Sequence, residues 1–167
     1  MSARALTELL RGKGAHADPL ACVEDVSAEL AARHVAGFPH SIGDLVFHMN
    51  YWMDYELRRI RGDRPAYPEH NSESFPPQTP FSDTQEWDQL RKQFTGLLGD
   101  FAALANSSPK EMQRQIESAH AGDAKAAGTL EAMLCQIVVH NSYHTGQIAM
   151  IRRMLNAWPP QAGGDTW

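Results

Sequence analysis

The chain has 167 residues, 43% of them hydrophobic, and a formal net charge of −5. This length and hydrophobic content suffice for the core of one domain, taken here as residues 1–167. The scattered Lys and Arg residues argue against a nucleic-acid partner, and the lack of a long apolar segment argues against a membrane span or secretory leader, so we expect a cytoplasmic protein.

The first helix is predicted to be broken. Apolar residues recur at helical spacing over residues 2–12 and again over residues 18–33. The intervening sequence GKGAHADP contains two glycines and a proline, which interrupt a regular helix. His16 lies in this interruption and could line the mouth of a pocket, although a solvent-exposed position is more common for a loop histidine.

A second helix is predicted over residues 41–61. Ser41 and Asp44 have the spacing of a capping box, and a basic segment suited to a helix C-terminus ends at Gly62. The next segment, residues 62–81, holds five of the ten prolines. Because proline disrupts both helices and central strands, this segment is predicted to be a long crossover loop.

Two further long helices are predicted over residues 82–105 and about 125–156. Ser82 with Gln85 suggests the N-cap of the first of these. A short extra helix is predicted near residues 109–118, and no segment shows the period-two alternation of a strand. The pattern predicts an all-α four-helix bundle with the proline-rich crossover between its second and third helices and the extra helix before its fourth.

Three histidines occupy core-facing positions of the second and fourth predicted helices. His140 and His144 are four residues apart, so both rings lie on the apolar face of the fourth helix. His48 lies on the corresponding face of the second helix. Three converging neutral imidazoles would form a mononuclear metal site with open coordination positions, whereas the alternative is a set of hydrogen-bonded core histidines.

The ligand type restricts the metal but leaves the reaction open. Imidazoles favour a divalent transition metal such as zinc, nickel or iron over magnesium or calcium. Asn141 stands where an HExxH metalloprotease has its glutamate, so peptide hydrolysis by that route is unsupported. An open position can activate water or bind a thiolate or carbonyl substrate. Asp44 and Glu56 are candidates to accept the second N–H of His48, although a surface carboxylate is the more common role.

Other polar residues have simpler explanations. Tyr143 and Gln147 lie beside the histidine face and could reach a ligand, but packing and solvent contact explain them as well. Arg152 and Arg153 lie in the last turns of the fourth helix, where a favourable interaction with the helix dipole is expected. The remaining histidines lie in or beside loops and are expected at the surface: His34, His40, His70 and His120.

Small residues suggest how the protein assembles. Ser142, Gly146 and Ala149 form a strip on the side of the fourth helix away from the histidines. Such a strip permits close approach of another helix, either within the bundle or from a second subunit. The C-terminal tail also contains Trp158 and Trp167, two large apolar side chains that are expected to be buried. These features predict a homodimer in which long helices pack across a two-fold axis.

Three segments together resemble a known family. PHSIGDLVFHMNYW, HNSYHTGQIAMIRRML and WPPQAGGDTW are similar to segments of the DinB-like metal-binding four-helix bundles, the DinB/YfiT superfamily, over about His16 to Trp167. The resemblance implies zinc or nickel held by His48, His140 and His144, and frequent homodimers. Some relatives are metal-dependent transferases that use mycothiol, bacillithiol or glutathione, and others have been considered hydrolases.

The leading functional hypothesis is a metal-dependent enzyme that activates a thiol or water against a small electrophilic substrate. The expected partners are therefore a small-molecule substrate, with a low-molecular-weight thiol among the candidates, and neither nucleic acid nor membrane. The alternative is a non-catalytic protein that uses the same metal and pocket to bind or sense a small ligand. A third hypothesis is a structural metal that only stabilises the bundle.

Overall fold

The computed structural model describes residues 2–76, 83–117 and 128–163. These residues form an all-α fold with one very small sheet, and none of the helices is long and apolar enough to cross a membrane. The elements are α1 Ala3–Leu10, α2 Ala21–Glu24, α3 Ala28–Ala32, α4 Ile42–Arg61, the 3-10 turn Asn71–Ser74, α5 Thr84–Ala105, α6 Pro109–Met112, β1 Gln115–Ile116, β2 Gly128–Thr129 and α7 Leu130–Met154.

Four helices surround the core. Helix α4 packs against α5 and α7, and helix α1 packs against the same two helices. Helices α1 and α4 therefore lie across the bundle from each other. All four contribute buried apolar side chains to a single cluster. The predicted all-α four-helix bundle is confirmed.

Helix α4 begins and ends where the sequence indicates. The Ser41 hydroxyl accepts a hydrogen bond from the Asp44 amide (3.1 Å), and the Asp44 carboxylate accepts one from the Ser41 amide (2.8 Å). The predicted capping box is therefore present. The helix ends at Gly62, whose φ of 97° lies in the left-handed region that favours glycine. The buried apolar residues of α4 form the face that packs into the core, and His48 lies on that face.

The first helix is broken, as predicted, but residues 18–33 do not form one continuous helix. Buried Arg152 of α7 donates hydrogen bonds to the carbonyl oxygen of Cys22 (2.7 Å) and to the carboxylate of Asp25 (2.8 Å). Helix α2 ends before Asp25, and Ser27 caps the separate helix α3. The expectation that Arg152 only complements the helix dipole is wrong, because it forms a buried ion pair with the N-terminal segment.

The start of α5 differs slightly from the prediction. The helix begins at Thr84, and the Asp83 side chain caps it by accepting a hydrogen bond from the Gln85 amide (2.8 Å). The proposed cap, Ser82, lies outside the described residues. An aspartate and a serine are comparable N-caps, so sequence spacing alone does not choose between neighbours.

The approach to α7 also differs from the prediction. The predicted extra helix near residues 109–118 ends early, and its chain continues into β1, which pairs antiparallel with β2. Each of these strands is two residues long, too short to show the period-two alternation by which a strand is recognised in a sequence. Gly128 has a φ of 139°, which favours glycine, and Thr129 caps a helix that begins at Leu130. This pairing adds to the backbone contacts that fix the start of the helix carrying two of the histidines.

Candidate metal centre

Three histidines from two helices converge on one point. His48 projects from α4, and His140 and His144 project from α7. One ring nitrogen from each lies within 4.8 Å of the others, and His48 Nε2 is 3.2 Å from His140 Nε2. Two imidazole ligands about 2.0–2.1 Å from a tetrahedral metal are separated by about 3.3 Å. The His48–His140 pair therefore has the spacing of two metal ligands, and the cluster, which contains all three residues that the sequence singles out, could hold a metal ion.

Hydrogen bonding fixes the orientation and tautomer of His48. Its Nδ1 is 2.9 Å from Ser74 Oγ, and the Ser74 hydroxyl donates its own proton to the carbonyl oxygen of Asn71 (2.6 Å). A carbonyl oxygen can only accept, so Ser74 Oγ must accept the Nδ1 proton of His48. The lone pair of the neutral His48 ring is therefore on Nε2, which faces His140.

His144 is held in the same way by a residue of its own helix. Its Nδ1–H donates to Gln147 Oε1 (2.7 Å), which leaves the lone pair on Nε2. His140 Nδ1 is buried and has no hydrogen-bond partner among the described residues. The Nε2 atoms of His140 and His48 are close enough to share one proton or to bind one ion. This arrangement fits a metal with imidazole ligands.

The three rings are uncharged near neutral pH. Burial is the main cause, and it lowers the pKa of His48 to about 3 and that of His144 to about 4, with the neighbouring histidines adding to both shifts. Burial lowers the pKa of His140 as well. Metal binding requires the neutral, unprotonated nitrogen, so the cluster needs no proton release to present its lone pairs at neutral pH.

The crossover segment covers the cluster. Phe75 stacks on the His48 ring, with centroids 4.2 Å apart, and His40 stacks on the other face of Phe75 at 3.9 Å. His40 is thus half-buried and ordered by ring contacts, and the expectation of a plain surface position is wrong. Ser74 lies beside Phe75 and is fully buried. The proline-rich segment therefore supplies both a hydrogen-bond acceptor and an aromatic cover.

Two further aromatic side chains adjoin the histidines. The Trp52 ring is nearly perpendicular to that of His48, with centroids 6.4 Å apart, and the Tyr143 ring is nearly perpendicular to that of His144, with centroids 5.0 Å apart. Tyr143 is 65% exposed, so it marks the side of the cluster nearest solvent. An apolar part of a small ligand could contact these rings while a polar group approaches the histidines.

The carboxylates suggested as partners of His48 have other roles. Asp44 completes the cap of α4, and Glu56 pairs with Arg59 at 2.8 Å. Burial raises the pKa of Glu56, while the Arg59 guanidinium opposes that shift. Ser74 fills the predicted role instead. Sequence reasoning missed it because a loop serine carries no periodicity, and the only available signal was a long crossover that must return over the bundle.

His16 lies away from the cluster. Its Nδ1 donates to the carbonyl oxygen of Ala17 (2.8 Å), so its Nε2 accepts from the Ser142 hydroxyl (2.8 Å) on the opposite face of α7. His16 therefore does not take the alternative position at the pocket mouth, and its ring is half-buried rather than at the fully exposed position that the sequence favours. Of the predicted small-residue strip, Ser142 contacts this histidine, Ala149 is buried and only Gly146 is exposed.

The C-terminal tail has its cover within the chain. Trp158 packs partly against the core, and the Arg153 guanidinium lies 4.5 Å from its ring centroid. Trp167 lies outside the described residues. Trp158 therefore gives no reason to invoke a second subunit.

The model of one protein family matches this chain. The DinB superfamily model matches residues 13–148, which is most of the chain and includes the three histidines. The chain belongs to the DinB superfamily. Comparisons with curated proteins and with solved structures find no match. The family match agrees with the helical fold, and the histidine group could hold a metal ion within it.

Proposed function

We propose that this DinB-superfamily protein is a metal-dependent enzyme. In this proposal His48, His140 and His144 hold one divalent transition metal, zinc or nickel, and the site activates a thiol or water against a small electrophilic substrate. One observation carries the argument: among the described residues the cluster contains three imidazoles and no carboxylate or thiol. Structural zinc sites have four protein ligands, whereas catalytic sites keep a position open.

The side chains of the site support this proposal by positioning and by excluding water. Ser74 and Gln147 orient two of the rings so that their Nε2 lone pairs face the cluster. Phe75 stacks on one face of His48 and shields that ring from solvent. A bound metal would supply Lewis acidity at this point, which favours a deprotonated thiol or water and polarises a carbonyl group.

Metal analysis tests the ligand assignment. Protein purified without a nickel column is expected to contain about one zinc or nickel ion per chain, because three ligands at suitable spacing bind borderline transition metals. The His140→Ala and His144→Ala variants should lose most of this metal. The matched control is His16→Ala, which removes a half-buried histidine outside the cluster. Equal metal content in the four proteins would remove the proposed site.

An activity screen tests the reaction class. The metal-loaded protein is assayed for conjugation of several low-molecular-weight thiols to model electrophiles and for ester and amide hydrolysis. Metal-dependent turnover that disappears in His48→Ala supports the enzyme. Tight binding of a small ligand without turnover supports the alternative sensing function. A large fall in melting temperature on chelation, with neither turnover nor ligand binding, supports a structural metal.

We also propose a homodimer, through a face of α7 that shares only Gly146 with the predicted strip. Val139 is 68% exposed and Tyr143 is 65% exposed. Both belong to an uncharged exposed row at coiled-coil spacing: Ala132, Gln136, Val139, Tyr143, Gly146, Met150 and Met154. Two chains of net charge −5 could approach along this row without placing like charges opposite each other.

A further inference from the structure

The crossover segment is joined to the histidine cluster by a chain of specific contacts. His48 donates to Ser74 Oγ, Ser74 Oγ donates to the Asn71 carbonyl oxygen, and Phe75 stacks on the His48 ring. We propose that Ser74 is a positioning residue of the metal centre and that residues 70–76 form a clamp whose ordering is linked to metal binding. This inference rests on the proposed metal site and assigns it a residue outside the three ligands.

The Ser74 hydroxyl makes one hydrogen bond as a donor and one as an acceptor. It is buried with no exposed surface, it donates to a backbone carbonyl, and it accepts the Nδ1 proton of His48. Removing the hydroxyl would leave a buried N–H without an acceptor, which is unfavourable. The ring would then gain by moving its proton to Nε2, where His140 lies 3.2 Å away. A proton on Nε2 blocks the lone pair that a metal requires.

The turn that contains Ser74 couples the position of the His48 proton to the order of the crossover segment. The amide of Glu73 donates to the His70 carbonyl oxygen (3.0 Å), and the amide of Phe75 donates to the Ser72 carbonyl oxygen (3.1 Å). These bonds make residues 70–76 a compact unit. A metal on His48 Nε2 requires the Nδ1–H form of that ring, and this form donates to Ser74. Metal binding should therefore stabilise the ordered clamp, and by thermodynamic linkage the ordered clamp should favour metal binding.

The tautomer of His48 gives a direct test on metal-free protein. Long-range nitrogen–proton NMR correlations distinguish a proton on Nδ1 from one on Nε2. We expect His48 of the wild type to carry it on Nδ1 and that of Ser74→Ala to carry it partly or wholly on Nε2. The matched control is Ser72→Ala, an exposed serine of the same turn, which should leave the wild-type tautomer unchanged. A purely structural role for Ser74 would not move this signal.

Metal affinity gives the second readout. Loss of an outer hydrogen-bond partner of a ligand typically weakens binding by about 10–100-fold. We expect this loss of zinc affinity in Ser74→Ala, near wild-type affinity in Ser72→Ala, and recovery in Ser74→Thr, which keeps a hydroxyl. Zinc should also slow hydrogen exchange at the amides of Glu73 and Phe75 in the wild type, and less so in Ser74→Ala.

The outcomes separate this inference from the proposed function. A wild type that binds no zinc or nickel overturns the proposed metal site. The His48 tautomer in the wild type and in Ser74→Ala would then still show whether Ser74 positions that ring. A Ser74→Ala variant with wild-type zinc affinity and wild-type tautomer overturns the inference and leaves the three-histidine site intact. If Ser74→Ala does not fold, the wild type alone decides, because a His48 proton on Nε2 contradicts the assignment.

Discussion

At the scale of single residues, the three histidines are held in their neutral form by burial. The pKa of His48 is about 3 and that of His144 about 4, against 6.5 for an ordinary histidine. The unfolded chain therefore binds protons more readily than the native state at mildly acidic pH. The stability that these groups contribute is present above about pH 6.5 and is lost as the pH falls toward the native pKa values.

We accordingly expect the metal-free protein to become less stable on acidification. Its melting temperature, followed by circular dichroism with a chelator present, should fall by several degrees between about pH 7 and about pH 5. The fall should be smaller in the double variant His48→Gln, His144→Gln, which lacks two of the three histidines whose pKa is lowered. An equal fall in the double variant would assign the effect to other side chains.

Arg152 and Arg153 are neighbours in sequence with very different environments. The Arg152 side chain is 2% exposed and pairs with Asp25. Removing one partner of a fully buried pair costs about 3–5 kcal/mol, because the other charge is left uncompensated, and the loss is smaller here because the Asp25 side chain is 16% exposed. We expect Arg152→Ala to lower the free energy of unfolding in urea by about 2–3 kcal/mol.

The matched control is Arg153→Ala. Arg153 stacks over the Trp158 ring, a cation–π contact worth about 0.5–1 kcal/mol at a site near solvent. The loss of stability should therefore be several times smaller than for Arg152→Ala. Similar losses in the two variants would show that the buried ion pair does not hold the N-terminal segment to α7.

At the scale of elements, the cap of α4 should contribute measurably to stability. Ser41 is buried, and its hydroxyl and the Asp44 carboxylate satisfy each other's backbone amides. We expect Ser41→Ala to lower the free energy of unfolding by about 1 kcal/mol, measured by urea denaturation. Ser108→Ala, at the exposed cap of the short helix α6, serves as the control and should cost less. A larger loss at Ser108 would contradict this ranking.

At the scale of the whole molecule, the uncharged face of α7 predicts a homodimer. Sedimentation equilibrium at micromolar concentration should give about twice the chain mass of 18.6 kDa. The double variant Val139→Glu, Met150→Glu places carboxylates on the two-fold interface and should be monomeric, because like charges repel across it. Lys92→Glu makes the same change in net charge at an exposed position of α5 and should remain dimeric.

Gly146→Leu refines this prediction. A Cβ at Gly146 would meet no atom of its own chain within 4 Å, so the substitution should leave the bundle folded. If the α7 faces pair closely, the added side chain should weaken the dimer. A wild-type mass near that of one chain would contradict the dimer, and a dimer unaffected by both α7 variants would place the interface elsewhere.

Periodicity and capping in the sequence determined much of this protein. The apolar spacing predicted the helical bundle, and Ser41, Asp44 and Gly62 predicted both ends of α4, because caps act over three or four residues of contiguous chain. The same periodicity placed His48, His140 and His144 on core-facing stripes. It follows that a histidine triad was predictable from local rules, once two helices were assumed to face each other.

Only the tertiary structure decided what surrounds the triad. Ser74 and Phe75 reach His48 from a proline-rich segment 26 and 27 positions away along the chain, and loop residues follow no period that would reveal this. Arg152 divides the N-terminal segment through a contact with Asp25 that spans 127 positions. Such contacts depend on how the chain closes on itself, which local propensity does not encode. Helix periodicity thus determines the three-histidine cluster, whereas its hydrogen-bond partners and its aromatic cover come from long-range packing.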